Sequence, residues 1–273
     1  MEGDVSKEKF EASLFLCIGG DNLALQYCVS ENELVSFQYG KINSRDFGIV
    51  ITDINELASP ERRFERIEIP GRNGSLILDE GCYSNFNLEI ECYIDVDGKD
   101  INILASEIKM WLQTDFSYKN LIISSDPNYY REAVCINKLD LEEVIKDLGY
   151  FKITFECKPL KKQLISNLIT INESNSKLIN TGMASYPLIK VFGNGDIELK
   201  INNEIIELTE VQGHIYIDCE LMNAYKIDIH TNDIANENSR MFGDFPTFEH
   251  GENIITYTGD VEKIEIEPRW VVL

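Results

Sequence analysis

The stretch NFNLEIECYIDV, residues 85–96, alternates strictly, with Phe86, Leu88, Ile90, Cys92, Ile94 and Val96 on one side and Asn87, Glu89, Glu91 and Asp95 on the other. Successive side chains of an extended chain point to opposite faces, so a period of two predicts a half-buried strand of an antiparallel sheet. The period then changes. In DINILASEIKMWLQT, the residues Ile101, Leu104, Ala105, Ile108, Trp111 and Leu112 recur at helical spacing behind Asp100, whose carboxylate can cap a first turn. This predicts one helix of about four turns. Strand-like runs resume in NLIISS, then, past a turn at Asp126-Pro127, in NYYREAVCINKLDLEEV, and after Gly149 in YFKITFECKP. A meander of strands broken by one helix predicts a β-rich domain with the helix laid on one face or edge.

The second half reads as short strands between turns: PLIKVFG, GDIELKI, EIIEL after a two-residue Asn202-Asn203 turn, HIYIDCE, AYKIDIH and VEKIEIEPRWVV. Such spacing predicts a β-sandwich or jelly roll. The expected fold is therefore mainly β, with two β-sandwich domains, the N-terminal one carrying a single α-helix. The expected boundaries are residues 36–160 and 165–273, with the seam in KPLKKQLISN, residues 158–167, where a proline and a lysine cluster end a run. Residues 1–35 are weakly patterned and are read as an extension without an assigned role.

Composition narrows the function classes. Hydrophobic residues make up 44% of the 273-residue chain, enough for a core in each half. No run approaches the roughly 20 apolar residues of a membrane span. The start, MEGDVSKEKF, places glutamates where a secretory signal has a basic segment, so the chain is expected to be soluble and not exported. Seven cysteines at wide, irregular spacing, with no C-x-x-C pair, fit reduced thiols better than a disulfide framework. His214, His230 and His250 form no ligand pairs with them, and no metal or cofactor is expected.

The formal charge is −22, from 47 acidic and 25 basic residues. Gripping a nucleic acid backbone takes clustered Lys and Arg. The one concentration of arginine lies in PERRFERIEIPGRNGSLI, residues 60–77. A phosphate-binding loop would follow its glycines with a lysine and a hydroxyl residue opening a helix. Here Gly71 and Gly74 lead into Ser75, Leu76, Ile77 and Leu78, and Asn73-Gly74 is a dipeptide favoured in tight hairpin turns, where both residues take positive φ. The segment therefore reads as a hairpin, which leaves Arg62, Arg63, Arg66 and Arg72 to be explained.

Catalytic chemistry finds little support. Carboxylates in NLEIEC and VEKIEIE fall on the solvent-facing alternate positions, and no serine sits in a G-x-S-x-G elbow. Ser124-Ser125-Asp126-Pro127 reads as a turn, and His214 and His250 as makers of local hydrogen bonds. Carbohydrate binding is the competing reading, because Tyr216, Tyr225, Phe242, Phe245, Phe248, Tyr257 and Trp270 gather in the second half. Core packing competes for the same aromatic residues.

Eight segments in consistent order resemble the distal tail proteins (the Dit family) of long-tailed bacteriophages and prophage elements. They are residues 36–52 (SFQYGKINSRDFGIVIT), 60–94, 110–115 (MWLQTD), 124–134 (SSDPNYYREAV), 155–159 (FECKP), 180–203, 241–255 (MFGDFPTFEHGENII) and 267–270 (EPRW). The resemblance implies a non-enzymatic hub: a homo-hexameric ring closed by the N-terminal domains, with a galectin-like C-terminal domain projecting outward. It implies as partners the tail tube protein, the tail-associated lysin or fibre protein, and in some phages the tape-measure and receptor-binding proteins. DNA would pass through the ring without being bound, and the protein would reside in the virion tail after assembly in the bacterial cytoplasm. Within that frame Arg62, Arg63, Arg66 and Arg72 become candidates for the oligomer interface, pairing with carboxylates of a neighbouring subunit or only within the chain. Residues 1–35 have no counterpart in the family pattern.

Overall fold

The computed structural model describes residues 35–94, 100–139, 150–228 and 230–273. The extension, residues 1–35, lies outside them except for its last residue. The first half contains β1 (Phe37–Tyr39), β2 (Ile42–Asn43), β3 (Ile49–Ile54), β4 (Arg62–Glu68), β5 (Ser75–Tyr83), β6 (Phe86–Ile94), α1 (Ile101–Gln113), β7 (Lys119–Ile123), β8 (Tyr129–Cys135) and β9 (Tyr150–Cys157). Of these strands, all but β4 and β5 join one antiparallel sheet in the order β2-β1-β7-β8-β9-β6-β3. In β6 the alternation is realised: Leu88, Ile90, Cys92 and Ile94 are buried while Glu89 and Glu91 are exposed.

The helix begins where the sequence places it, with the Asp100 carboxylate accepting from the Asn102 N–H at 2.8 Å. Its Leu104, Ala105, Ile108, Trp111 and Leu112 enter one core with Phe37, Tyr39, Ile90, Ile153 and Phe155. Trp111 stacks on Phe37 with ring centroids 5.5 Å apart and donates its indole N–H to the Tyr39 carbonyl at 3.1 Å.

The second half contains β10 (Lys161–Gln163), β11 (Ile169–Ile171), β12 (Ser176–Asn180), β13 (Leu188–Ile201), β14 (Glu204–Asp218), β15 (Asn223–Ile227), β16 (Ile234–Asn236), β17 (Met241–Phe242), β18 (Gly251–Glu267) and β19 (Val271–Val272). The runs expected as separate strands on either side of Gly193 to Gly195 form the single strand β13, and those around Gly213 form β14. The register of β13 shifts between Gly195 and Ile197 against β14, and between Asn194 and Glu198 against β18. Such bulges bend a strand. Ile189 and Val191 before the bend and Ile197, Leu199 and Ile201 after it thus share one core, so the long strands fold over on themselves. A Cβ on Gly193 would lie 2.3 Å from the Asp260 carbonyl oxygen, and that close strand approach is what the glycine permits.

Within the segment expected as the seam, Lys161–Gln163 forms a strand. β10 pairs with β8 on one side (Lys162 with Tyr130) and with the C-terminal β19 on the other (Lys161 with Val272). The Lys162 ammonium reaches Glu132 at 3.3 Å in the first half and Glu220 at 2.6 Å in the second.

Candidate assembly interface

The arginine segment folds as the hairpin β4–β5, a two-stranded sheet that joins neither large sheet. Its register pairs Ile67 with Leu76, Arg66 with Ile77 and Glu65 with Leu78. Asn73-Gly74 does not form the expected two-residue turn. Gly71 and Gly74 take positive φ but Asn73 does not, and the Arg72 N–H donates to the Ile69 carbonyl at 3.1 Å across Pro70-Gly71. Proline and glycine at the two central positions suit that reversal, because one presets φ and the other tolerates positive φ.

Every residue of β4 is exposed, as is every residue of β5 up to Cys82. Phe64 is 42% exposed, Leu76 50%, Ile77 62% and Leu78 52%, values far from those of a sheet with a core face. Alternation places Ile67, Ile69, Leu76 and Leu78 together on one face and Phe64, Arg66 and Ile77 on the other. A lone hairpin is at best marginally stable in water, and contiguous apolar surface on a soluble protein marks a site of interaction.

The four predicted arginines divide into two pairs. Near the base, Arg62 grips Asp79 with two hydrogen bonds, Nε to Oδ1 at 2.9 Å and Nη2 to Oδ2, and donates through Nη1 to the Tyr83 hydroxyl at 2.9 Å. The Arg62 hydrogen bonds, with one from the Gly81 N–H, hold the Asp79 carboxyl below its ordinary range, and the bonds to Asp79 and Tyr83 raise Arg62. Arg63 pairs with Glu80 at 2.9 Å. Nearer the tip, the Arg66 guanidinium lies over the Phe64 ring at 5.2 Å, and the Arg72 side chain makes no hydrogen bond or ion pair among the described residues. Arg62 and Arg63 therefore pair across the hairpin, while Arg66 and Arg72 make no ion pair among the described residues. A bidentate Arg–Asp grip was legible only as residue types, because the pairing depends on register.

Two of the candidate histidines and several of the candidate aromatic residues have structural roles. The His214 Nε2 lies 3.1 Å from the Ile227 carbonyl oxygen and the His250 Nδ1 lies 2.8 Å from that of Gly182. Burial lowers the His214 imidazole below its ordinary range. Phe248 is core, and Tyr216 stacks on Tyr225 at 5.1 Å beneath the Lys190 ammonium. No cluster of three metal-ligating side chains occurs among the described residues, and no helix there is long and apolar enough to cross a membrane.

Known proteins share this architecture. Over 86% of this chain and 98% of the other, it superposes on the crystal structure of SPP1 Dit with a TM-score of 0.68 at 13% sequence identity. The fold is Dit-like. SPP1 Dit is described as a paradigm of hub adsorption apparatus in phages infecting Gram-positive bacteria. Residues 41–157, which include the exposed hairpin of this Dit-like chain, match the phage tail protein RIFT-related domain. A chain of the phage p2 baseplate in its activated conformation aligns at a TM-score of 0.46 and 10% identity, over 85% of this chain and 97% of that one. No curated protein sequence matches the chain.

Proposed function

We propose that this protein is a non-enzymatic tail-tip hub, assembled as a homo-hexameric ring in a phage or phage-derived tail. The observation that carries the reading is the hairpin β4–β5, which presents apolar side chains on both faces and belongs to neither sheet. On a Dit-like fold, such an arm reaching onto a different patch of the next subunit makes a heterologous contact, and heterologous contacts close into rings when the rotation permits. Residues 36–160 form the ring and residues 165–273 project from it. The ring joins the tail tube to the lysin or fibre protein and to receptor-binding components, and its hole passes DNA without holding it.

Arg66 and Arg72 meet carboxylates of the neighbour, while Arg62 and Arg63 pair within the arm. The test is the mass and symmetry of the purified chain: light scattering at six times the monomer mass, and six-fold averages in electron micrographs. Arg72→Glu should raise the dissociation concentration about tenfold, the effect of losing about 1.4 kcal/mol. A strictly monomeric protein, or a ring indifferent to Arg72→Glu and to hairpin removal, would overturn the assignment.

A further inference from the structure

Where the two halves meet, a cleft of about 510 Å³ opens beside the stitching strand β10. It is within the size range of sites for small ligands, which favour boundaries of this kind. Its walls are fixed by ion pairs that leave little net charge. The Glu132 carboxylate lies 3.0 Å from the Lys158 ammonium and 3.3 Å from that of Lys162, and Lys162 also reaches Glu220. Arg269 closes the far side on Asp218, with hydrogen bonds of 2.8 and 3.0 Å. An ion entering this cleft would have to break an existing pair, so the site does not call for a charged ligand.

Between those pairs lies a different set of groups. Tyr130, Tyr186 and Trp270 line the cleft together with Gln163 and Glu267. The two tyrosine hydroxyls, the Trp270 indole N–H, the Gln163 amide and the Glu267 carboxylate make no hydrogen bond among the described residues. Donors and acceptors thus converge beside three aromatic rings, and Tyr186 is 50% exposed. Polar groups in a recess are served by water or by a ligand that replaces it. Aromatic rings supply apolar contact at the same place, and their polar tips add direction.

We infer that this cleft binds a short neutral saccharide. The aromatic side chains meet the apolar face of a sugar ring, and its hydroxyls bond to Glu267, Gln163 and the tyrosine hydroxyls. Such a ligand is polar, uncharged and rich in both donors and acceptors, which is the chemistry the lining leaves open. The site is complete within one copy of the chain, drawn from β8, the seam and the C-terminal segment, so it does not depend on the ring reading.

Trp270 supplies the probe. The chain's other tryptophan, Trp111, is buried in the first core, so a ligand in the cleft changes only the Trp270 emission. The full-length protein is titrated with chitotriose, maltotriose and mannotriose. At least one should give a saturable change in emission, confirmed by calorimetry. Tyr186→Ala and Glu267→Gln should each weaken binding at least tenfold with melting temperatures unchanged, whereas Phe242→Ala, on an exposed strand away from the cleft, should leave it intact. Absence of any saturable response by either method overturns the proposal. So does binding that survives both cleft variants, which would place a saccharide elsewhere, and so does a response confined to acidic peptides or salts.

Discussion

The hairpins β4–β5 and β13–β14 are both antiparallel pairs whose connections contain a backbone with positive φ, yet they serve opposite ends. In β13–β14 each strand alternates between buried and exposed positions, and Leu199, Ile201, Ile206, Leu208 and Ile217 are almost wholly withdrawn from water. In β4–β5 Ile67, Leu76, Ile77 and Leu78 also make an aliphatic surface, but no layer covers either face. The β13–β14 hairpin stabilises its own half through the apolar area it removes from water. The β4–β5 hairpin leaves its surface open, and the exposed Arg62–Asp79 and Arg63–Glu80 pairs link its two strands. Strand propensity therefore does not reveal whether a hairpin buries its apolar side chains or leaves them open; what packs on it does.

The strongest way to break this contrast is to remove the arm. Replacing residues 62–83 with a short Gly-Ser linker should abolish the oligomer, leaving a monomer that still unfolds cooperatively, because the core of the first half contains no residue of β4 or β5. Light scattering and a thermal melt report the two outcomes. A variant that fails to fold would mean the arm packs on its own domain.

Next in size is the loss of Arg269. Asp218 ends β14 with its side chain 4% exposed, facing the Arg269 guanidinium. Burial pushes the Asp218 carboxyl up, but hydrogen bonds from Arg269 and from the Leu221 and Glu220 N–H groups outweigh it and hold the group below its ordinary range. Arg269→Ala strands a buried carboxylate and should cost about 3–5 kcal/mol in urea unfolding. With a native value below that of the unfolded chain, the pair's contribution is fully present above about pH 3.9 and is lost as pH falls through the lowered native value. The wild type should therefore lose stability on acidification through that window, and Arg269→Ala should lose less there.

A matched pair of truncations sharpens the comparison further. Leu199→Ala, in the packed hairpin, should cost about 2–5 kcal/mol of stability. Leu78→Ala, in the exposed one, should change monomer stability by less than about 0.5 kcal/mol and instead weaken assembly. Equal destabilisation by the two would erase the distinction.

Much of the fold could be read from local pattern. Asp100 and the spacing from Leu104 to Leu112 specify α1, the alternation from Phe86 to Ile94 specifies β6, and Asn202 adopts the positive φ that the turn before Glu204 requires. The length of β13 could not, because Gly193 and Gly195 read locally as a break. Gly193 makes room for the Asp260 carbonyl, more than 60 residues away, and Gly195 takes the positive φ of the irregular turn in the strand. The arginines could be singled out, but their division into two that pair across the hairpin and two that do not depends on the register that sets Arg62 opposite Tyr83. The cleft was invisible for the same reason: Tyr130, Gln163, Tyr186 and Glu267 come together only through the pairing of β8, β10 and β19.

The smallest effect tests which force holds the proposed ring. Each copy carries a formal charge of −22, so subunits repel one another and any hole they enclose is acidic. Salt screens exposed charges over about 8 Å at physiological strength and leaves apolar contact nearly unchanged. Of the four hairpin arginines, Arg62 and Arg63 are satisfied within the arm, which leaves Arg66 and Arg72 for an attraction between subunits that salt would weaken. With apolar contact as the main force in the ring, the hexamer fraction in sedimentation should rise as salt goes from about 20 to about 200 mM. Double-stranded DNA should not be retained at the lower salt, because an acidic surface offers phosphates no counterion release. A ring that dissolves as salt rises would assign its stability to the arginine pairs, and the exposed aliphatic face of β4–β5 would then lose its place as the main contact.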